Sequence, residues 1–424
     1  MRALRSILLC AAVTGIGLPA VGQMCPNNSV SPGDPCPGAT SSSCGSFPAT
    51  CPAGATIVSG GGSASSIQNA INAAQPGAVI CVQPGVYTGK IDFKGKALLL
   101  MAPVPLSVTL DGAGTGPVVT FANGEGYESV LTGFQIINGS ATGGGGILIV
   151  NASPTIRNCL VANNVATGYA YSRGGGAAIS GKWSAPTIRC TTFQGNHADY
   201  KGGGLESDYS AHPYLYFDTF QNNSAPYGGG YGAEWNGLAS IANSLFLGNS
   251  ASGDGGGLHV LTQFGTTLVR RTVIAGNTAP GSGGGIWVAA GFATVLNSIF
   301  DGNSSSHGAA AASGYGSSLN VESSVLINTP ASPYATDATL AVGADGSSLL
   351  NSFNLFASNS GPNFLGTAFN NQILTPPPVG FVGCYCLPAG SPAIGSGMSN
   401  YLFDNAYNNQ RNDIGAHGGP TNTP

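Results

Sequence analysis

A unit of 26 to 32 residues recurs through the middle of the chain, and this repeat restricts the possible folds more than any other feature. Each copy contains an apolar residue, two variable positions and an asparagine, and a glycine triplet follows. The asparagines are Asn164, Asn196, Asn223, Asn249, Asn277 and Asn303. The triplets are residues 174–176, 202–204, 228–230, 255–257 and 283–285. A repeat of this length is typical of a solenoid in which each unit stacks on its neighbours.

Short runs in which apolar residues alternate with others follow the triplets, for example at 147–150, 258–261 and 286–289. Alternation with a period of two indicates β-strands. Glycine makes up 67 of 424 residues and supplies turns with positive φ or close backbone contacts. The sequence therefore predicts an all-β fold. It is a single-stranded right-handed parallel β-helix (solenoid), with the recurrent asparagines stacked as an amide ladder in a turn.

The apolar residue of each copy is expected to face the interior and to form a second ladder. Its members are Phe193, Phe220, Phe246, Ile274 and Phe300. We assign residues 55–350 to the β-helix and residues 351–424 to the final coils and a C-terminal cap. Residues 65–74 carry isoleucines and alanines on one face, which predicts an N-terminal capping helix over the open strand edges of the first coil.

The N-terminus has the three parts of an export signal. Arg2 and Arg5 precede an apolar run, and residues 20–22 form a small-x-small cleavage pattern. This pattern predicts a signal peptide at 1–22 and a mature protein that is secreted or held at the cell surface. The apolar run is short for a membrane span of about 20 residues, which favours cleavage. No later segment is apolar enough to cross a membrane, so no membrane span is expected after signal removal.

Residues 23–54 are rich in cysteine, proline and serine. The cysteines are Cys25, Cys36, Cys44 and Cys51, and their spacing does not match the close pairs of a zinc site. In an oxidising compartment they predict a disulfide-stapled segment, with three connectivities left open. Further along the chain, Cys159 and Cys190 are out of register in their repeats and are expected to be two buried thiols.

Stretches of this chain resemble three groups of known proteins. The stretches FQGNHADYKGGGL, FQNNSAPYGGGY and FLGNSASGDGGGL resemble the FxxN and GG[AG][ILV] repeats of chlamydial polymorphic outer-membrane proteins. Residues 65–93 resemble the N-terminal entry of bacterial right-handed parallel β-helix proteins. GSPAIGSG at 390–397 and RNDIGAHGG at 411–419 resemble the ending of the choice-of-anchor Q family. These resemblances imply the fold, whereas β-helices host lyases, hydrolases, adhesins and passive scaffolds.

Charged residues are scarce, with 13 Lys and Arg, 17 Asp and Glu, and a net charge of −4. Without a basic run, the chain has no electrostatic footprint for nucleic acid. Arg157 and Arg189 occur at matching positions of PTIR in successive copies. We interpret them as a solvated pair stacked on an outer face, since no carboxylate is near them in the sequence.

The stretch GGGLESDYSAHPYLYFD, residues 202–218, concentrates polar and aromatic side chains. Counted from the triplet, positions +1 and +3 are mostly apolar, so positions +2 and +4 should face solvent. Asp208 should then stack beside Glu234 of the next coil, and Tyr209 beside Trp235. The predicted ligand-binding wall comprises Glu206, Asp208, Tyr209, Glu234, Trp235, His259 and Trp287.

Three interpretations of the carboxylates on this wall remain open. Neighbouring carboxylates suit glycoside hydrolysis, with Glu206, Asp208 and Glu234 as the catalytic candidates. Carboxylates also bind Ca²⁺, for which Asp208 and Glu234 are the candidate ligands. The third alternative is an inert surface of stacked like charges.

The chain contains no Ser-His-Asp elbow, no HExxH motif and no polygalacturonase-like GHG or RIK pattern. The sequence therefore favours an exported surface or extracellular protein, used for adhesion or for binding a polysaccharide or cell-surface glycan. The alternative is a polysaccharide-degrading enzyme, either a glycoside hydrolase or a polysaccharide lyase, that uses carboxylates on the same wall. The sequence favours neither a dedicated cofactor nor a particular oligomeric state.

Overall fold

A computed structural model describes residues 50–168, 173–327, 340–342, 348–352, 354–357, 367–369 and 372–374. The predicted signal peptide, most of the cysteine-rich segment, most of residues 351–424 and the two stretches at 390–397 and 411–419 lie outside these residues. The described chain is a parallel β-solenoid with very little helix. The predicted fold class is therefore confirmed.

Three parallel sheets run along the solenoid. The first sheet consists of β1 (Thr56–Val58), β3 (Val79–Val82), β5 (Ile91–Asp92), β6 (Leu99–Met101), β8 (Val119–Phe121), β9 (Val130–Thr132), β12 (Ile147–Val150), β13 (Thr155–Arg157), β16 (Ala177–Ser180), β17 (Thr187–Arg189), β20 (Leu205–Ser207), β21 (Tyr214–Tyr216), β24 (Tyr231–Ala233), β25 (Ser240–Ala242), β28 (Leu258–Arg270), β30 (Ile286–Leu296), β32 (Ala311–Ser313), β33 (Ser318–Glu322), β35 (Leu340–Val342), β36 (Ser348–Ser352) and β38 (Thr367–Phe369).

The second sheet consists of β2 (Gly62–Ser63), β4 (Gly85–Thr88), β7 (Val108–Asp111), β10 (Phe134–Ile137), β14 (Leu160–Ala162), β18 (Thr192–Gln194), β22 (Thr219–Gln221), β26 (Leu245–Leu247), β29 (Val273–Ala275), β31 (Ile299–Asp301), β34 (Val325–Ile327), β37 (Leu355–Ala357) and β39 (Gln372–Leu374). The short third sheet consists of β11 (Ser140–Ala141), β15 (Val165–Ala166), β19 (His197–Ala198), β23 (Ser224–Tyr227) and β27 (Ser250–Asp254).

The first sheet contains two columns of strands. Column A is formed by the strands that follow the glycine triplets, such as β16, β20 and β24. Column B is formed by the next strand of each coil, such as β17, β21 and β25. The long strands β28 and β30 belong to both columns, because they cross the corner between them without a break. Each coil therefore contributes strands to column A, to column B and to the second sheet in turn. In the middle of the solenoid it also contributes a strand to the third sheet.

The single helix of the described residues, α1 (Ser65–Ala73), lies within the predicted capping segment. Ile67 and Ile71 are fully buried, and the helix packs against β1, β3 and β5. Gln68 fixes it to the first coils by donating to the carbonyl of Asp92 and accepting the Asp92 N–H. The predicted amphipathic face is therefore the face that is buried.

The recurrent asparagines form the predicted amide ladder. The Nδ2 group of Asn223 donates to the carbonyl of Phe193 at 2.9 Å and to Oδ1 of Asn249 at 2.9 Å. Its Oδ1 accepts both the backbone N–H and the Nδ2 group of Asn196. All the hydrogen-bonding groups of the amide are thus paired, which offsets the free-energy cost of burying it. The same pattern extends from Asn164 to Asn277.

The interior aromatic ladder is also confirmed. The rings of Phe193, Phe220 and Phe246 are fully buried and stacked, with centroids 4.9 and 4.6 Å apart. The triplets allow this close stacking of coils. Gly202 has a φ of 67°, and a Cβ on Gly203 would overlap the carbonyl oxygens of Ser224 and Gly229. The triplets lie on neighbouring rungs, as the predicted register requires.

The cysteine predictions need two corrections. Cys51 is bonded to Cys81 of β3 rather than to another cysteine of the N-terminal segment. Pairing of β1 with β3 brings the segment before β1 close to Cys81, a contact that spacing within the segment does not reveal. Cys159 is a buried free thiol, as expected, whereas Cys190 is disulfide-bonded.

No helix within the described residues is long and apolar enough to cross a membrane.

Candidate functional site

The carboxylates of the predicted wall point away from the interior but are not exposed. Leu205 belongs to the core, so the next side chain, Glu206, points to the outer side of column A. Nevertheless Glu206, Asp208 and Glu234 are all buried. The expectation that these three carboxylates form an exposed surface is therefore wrong, and the reason is a pair of cations that covers them.

Arg173 is the centre of this buried group. Its Nη1 donates to Oδ2 of Asp208 at 2.8 Å, and its Nη2 lies 2.7 Å from Oε2 of Glu234. Its Nε lies 3.8 Å from Oε1 of Glu206. One guanidinium therefore contacts carboxylates from two successive coils. We call Arg173, Lys201, Glu206, Asp208 and Glu234 the charge cluster.

Lys201 is the second cation of the charge cluster. It is almost fully buried, and its Nζ lies 3.3 Å from Oε1 of Glu234. Tyr200 donates its hydroxyl to the same oxygen at 3.1 Å. The Tyr200 ring also lies against both cations, with its centroid 5.7 Å from Cζ of Arg173 and 5.4 Å from Nζ of Lys201. Such cation–π contacts add to the attraction.

Burial dominates the electrostatics of the charge cluster. It raises the pKa of Glu206 well above its usual range, and Asp208 raises it further. Burial also raises the pKa of Asp208 and lowers the pKa of Lys201. Burial and Asp208 thus favour the neutral form of Glu206, while Arg173 and Lys201 face the carboxyl groups of Asp208 and Glu234. The charge cluster thereby joins three successive coils.

The two candidate Ca²⁺ ligands are already in contact with a cation. Asp208 and Glu234 both contact Arg173, and no group of three or more His, Cys, Asp or Glu side chains in the described ranges is arranged to hold a metal ion.

His259 and Trp287 also continue the wall without being exposed. The His259 ring lies 5.3 Å from that of Tyr227, and burial, with a smaller effect of Lys201, lowers its pKa well below its usual range. Trp287 packs against Ala289 and Ala312. Both predictions of exposure are wrong: Tyr227, which precedes the triplet 228–230, lies against His259, and Trp287 is covered by neighbouring side chains of column A.

The cations were missed as partners because they precede the triplets rather than follow them. Arg173 and Lys201 occupy the same position, immediately before successive triplets, and they are bridged in register. Charged residues directly before two neighbouring triplets are therefore the signal that could have revealed the cluster.

Tyr209 and Trp235 are exposed and stacked, as predicted. Their ring planes are 5° apart and their centroids are 6.2 Å apart. They belong to a longer row at the corner between columns A and B. Six consecutive coils each place one aromatic side chain there, 50% to 80% exposed. We call these side chains the aromatic ridge; they are Trp183, Tyr209, Trp235, Phe264, Phe292 and Tyr315.

A second set of rings crosses column B beside the ridge. His212, Tyr214 and Tyr216 stack side by side, with centroid separations of 5.3 and 6.3 Å. The opening stretch of this coil therefore divides its side chains between three places. Glu206 and Asp208 enter the charge cluster, Tyr209 joins the ridge, and the three rings cover column B.

Asp218 ends the same stretch and belongs to a buried turn. Its Oδ1 accepts the N–H of Thr191 at 2.8 Å, whereas its buried Oδ2 has no hydrogen-bond partner. Burial raises the pKa of this carboxyl well above its usual range.

Replacing Asp218 with asparagine should therefore stabilise the protein increasingly as pH rises. A raised pKa means that the carboxyl favours the folded state below its unfolded pKa of about 3.9, and that this contribution is lost as pH rises through the folded pKa. Asparagine keeps an acceptor for Thr191 and does not titrate. Thermal melting of parent and variant between about pH 4 and pH 8 checks this. A constant difference in melting temperature across that range would contradict it.

Comparison with known proteins supports the repeat. Residues 243–260 match the model of the Chlamydia polymorphic membrane protein repeat, which confirms that resemblance over one copy. The matched segment contains Phe246, the ladder residue Asn249 and the triplet 255–257. No curated protein sequence is significantly similar to the chain.

Several solved structures resemble the fold at low identity. An alginate lyase from Paenibacillus sp. str. FPU-7 is 11% identical with a TM-score of 0.34, covering 76% of this chain and 99% of that one. The Agl-KA catalytic domain is 11% identical with a TM-score of 0.40, covering 77% and 69%. The pectin methylesterase from Aspergillus niger is 12% identical with a TM-score of 0.31, covering 78% and 89%.

Proposed function

We propose that this protein is an exported β-helix that binds an extended polysaccharide or cell-surface glycan along the aromatic ridge. The observation that carries the proposal is the regular placement of exposed rings, one per coil over six coils, at a single corner of the solenoid. Exposed apolar groups concentrated in one place mark binding surfaces. With strands about 4.8 Å apart, the ridge is about 24 Å long.

The form of the ridge favours a chain-like ligand over a folded protein. The residues that directly follow the rings in the chain are small or polar, such as Ser210, Asn236 and Gly265. A protein interface has a contiguous buried core of apolar residues, whereas a single row of rings matches the repeating C–H faces of a sugar chain. Trp183, Phe264 and Tyr315 are at least 72% exposed, so most of each side chain is accessible to such contacts.

A polysaccharide-degrading enzyme remains the rival proposal. The charge cluster brings three carboxyl groups together, and the pKa values of Glu206 and Asp208 are raised, as a general acid requires. However, Glu206 is 1% exposed and Arg173 contacts all three carboxylates. We therefore favour binding, and the test below also measures cleavage.

The double variant Tyr209→Ala/Trp235→Ala should lose most glycan binding. The parent is screened on a glycan array, and dissociation constants are then measured for the polysaccharides that bind. Removing two hot-spot rings at about 1–2 kcal/mol each should weaken binding at least about tenfold, since about 1.4 kcal/mol corresponds to a tenfold change. Folding should be unaffected because both rings are half-exposed.

Tyr127→Ala is the matched control. Tyr127 is 75% exposed but precedes the ridge and is separated from it by a coil without an aromatic residue at the corner. Its removal should leave affinity unchanged. Absence of glycan binding by the parent, or equal binding by the double variant, would refute the proposal. Release of oligosaccharides by the parent but not by Glu206→Gln would favour the enzyme instead.

A further inference from the structure

Column B carries a row of arginines that the charge cluster and the ridge do not use. Arg157 and Arg189 are register partners on successive coils, and Tyr216 follows in the same position of the next coil. Arg270 occupies this position two coils further on. Ile156, Ile188 and Leu215 alternate with these residues and are fully buried. The arginines therefore point outward. They lie at the end of the column B strands that is farther from the ridge.

The first two arginines are not the solvated pair that the sequence suggested. Both are half-buried, and the Nε atom of each is buried without a hydrogen-bond partner. None of the ion pairs within the described residues includes either side chain. Burial, together with the neighbouring Arg189, lowers the pKa of Arg157. Two like charges thus lie side by side and partly dehydrated, an arrangement that a bound anion would stabilise.

The rest of column B connects this pair to the ridge. Tyr216 is the register neighbour of Arg189, and the His212–Tyr214–Tyr216 row extends from it toward the corner that bears Tyr209. A ligand lying on this face would meet rings on one side and guanidinium groups on the other. Guanidinium groups bind carboxylate and sulfate oxygens through paired N–H donors.

We propose that Arg157 and Arg189 form an oxyanion site, so that the glycan bound along the ridge is an acidic polysaccharide whose carboxylate or sulfate groups contact this pair. The inference rests on the proposed function, since it specifies the class of glycan. It does not depend on the charge cluster, whose cations are already paired with carboxylates.

The test compares the parent with Arg157→Gln/Arg189→Gln on three polymers: a uronic acid polysaccharide, a sulfated polysaccharide and an uncharged one. The double variant should bind the acidic polymers at least about tenfold more weakly, the equivalent of about 1.4 kcal/mol. The affinity of the parent for them should fall with added NaCl, because salt screens charge pairs, and that dependence should be reduced in the variant. A preference for one acidic polymer identifies the anion.

Lys90→Gln/Lys94→Gln is the control, because it removes the same charge from exposed lysines outside column B. Its affinity should match that of the parent, which separates a site from a general effect of net charge. The melting temperature of the arginine variant should be maintained or raised, since mutual repulsion is removed. Equal binding of acidic polymers by parent and arginine variant would overturn the inference.

Different results would refute the proposed function and the proposed arginine site. If the parent binds uncharged polymers through the ridge and gains nothing from acidic groups, the proposed function stands and the inference is wrong. If the parent binds none of the three polymers, both are wrong.

Discussion

Replacing Arg173 with methionine is expected to lower the free energy of unfolding by about 3–5 kcal/mol, the usual cost of removing one partner from a buried ion pair. Arg173 contacts Asp208 at 2.8 Å and Glu234 at 2.7 Å, and both carboxylates are buried. Without the guanidinium, these carboxylates keep the cost of burial and lose their main counter-charge. Urea unfolding near pH 7.5 measures the loss as a lower transition midpoint.

The second substitution Asp208→Asn should recover part of this stability. It removes one carboxylate together with the cation and leaves Lys201 to balance Glu234. The loss in Arg173→Met should also shrink at acid pH. Burial holds the pKa values of Glu206 and Asp208 above their usual range, so the deficit is small where these carboxyls are protonated and grows as pH rises.

Lys94→Met is the matched control for Arg173→Met, because Lys94 forms an ion pair of the same 2.8 Å length with Asp92 but is exposed. Exposed pairs contribute little to stability, so this variant should unfold like the parent. Equal losses in the two methionine variants, or a double variant no more stable than Arg173→Met alone, would show that Arg173 is not the partner of the buried carboxylates.

The sequence of this chain predicts the direction in which a side chain points better than it predicts whether that side chain is buried. Alternation along column A correctly predicts that Glu206 points away from the core residue Leu205. It does not predict that Glu206 is covered, because the covering Arg173 precedes it by 33 residues and belongs to a different coil. Periodicity describes one strand at a time, whereas burial depends on neighbouring coils.

Stacked positions were predictable where the same residue type recurs in register. The Asn223–Asn249 ladder and the Phe220–Phe246 stack follow from equal spacing in successive copies. The aromatic ridge was only partly predictable. Tyr209 and Trp235 share a position, but Trp183 and Phe264 lie two residues further from their triplets. Turns of different length bring these rings to one corner, and this requires the coil geometry.

The second large effect is expected at the interior ladder. Phe246→Ala should cost about 3–5 kcal/mol, as for other fully buried phenylalanines. Its ring is stacked on Phe220 at 4.6 Å, and Ile274 is its register partner on the next coil. Those neighbours are attached to strands whose spacing is set by backbone hydrogen bonds, so the coil cannot contract to fill the space. The substitution therefore leaves a cavity and loses ring contacts on both sides.

Phe264→Ala provides the same chemical change at an exposed position, because Phe264 lies on the ridge and is 72% exposed. Phe264→Ala should leave the unfolding midpoint near that of the parent and weaken glycan binding. Phe246→Ala should lower the unfolding midpoint and, under conditions where it is folded, leave glycan binding unchanged. Phe246→Leu should fall between alanine and the parent, since it restores part of the lost volume. Similar unfolding midpoints for the two alanine variants would mean that the ladder is not packed as described. The pair thus separates the two roles of aromatic residues in this repeat, which are coil stacking inside the solenoid and ligand contact at its corner.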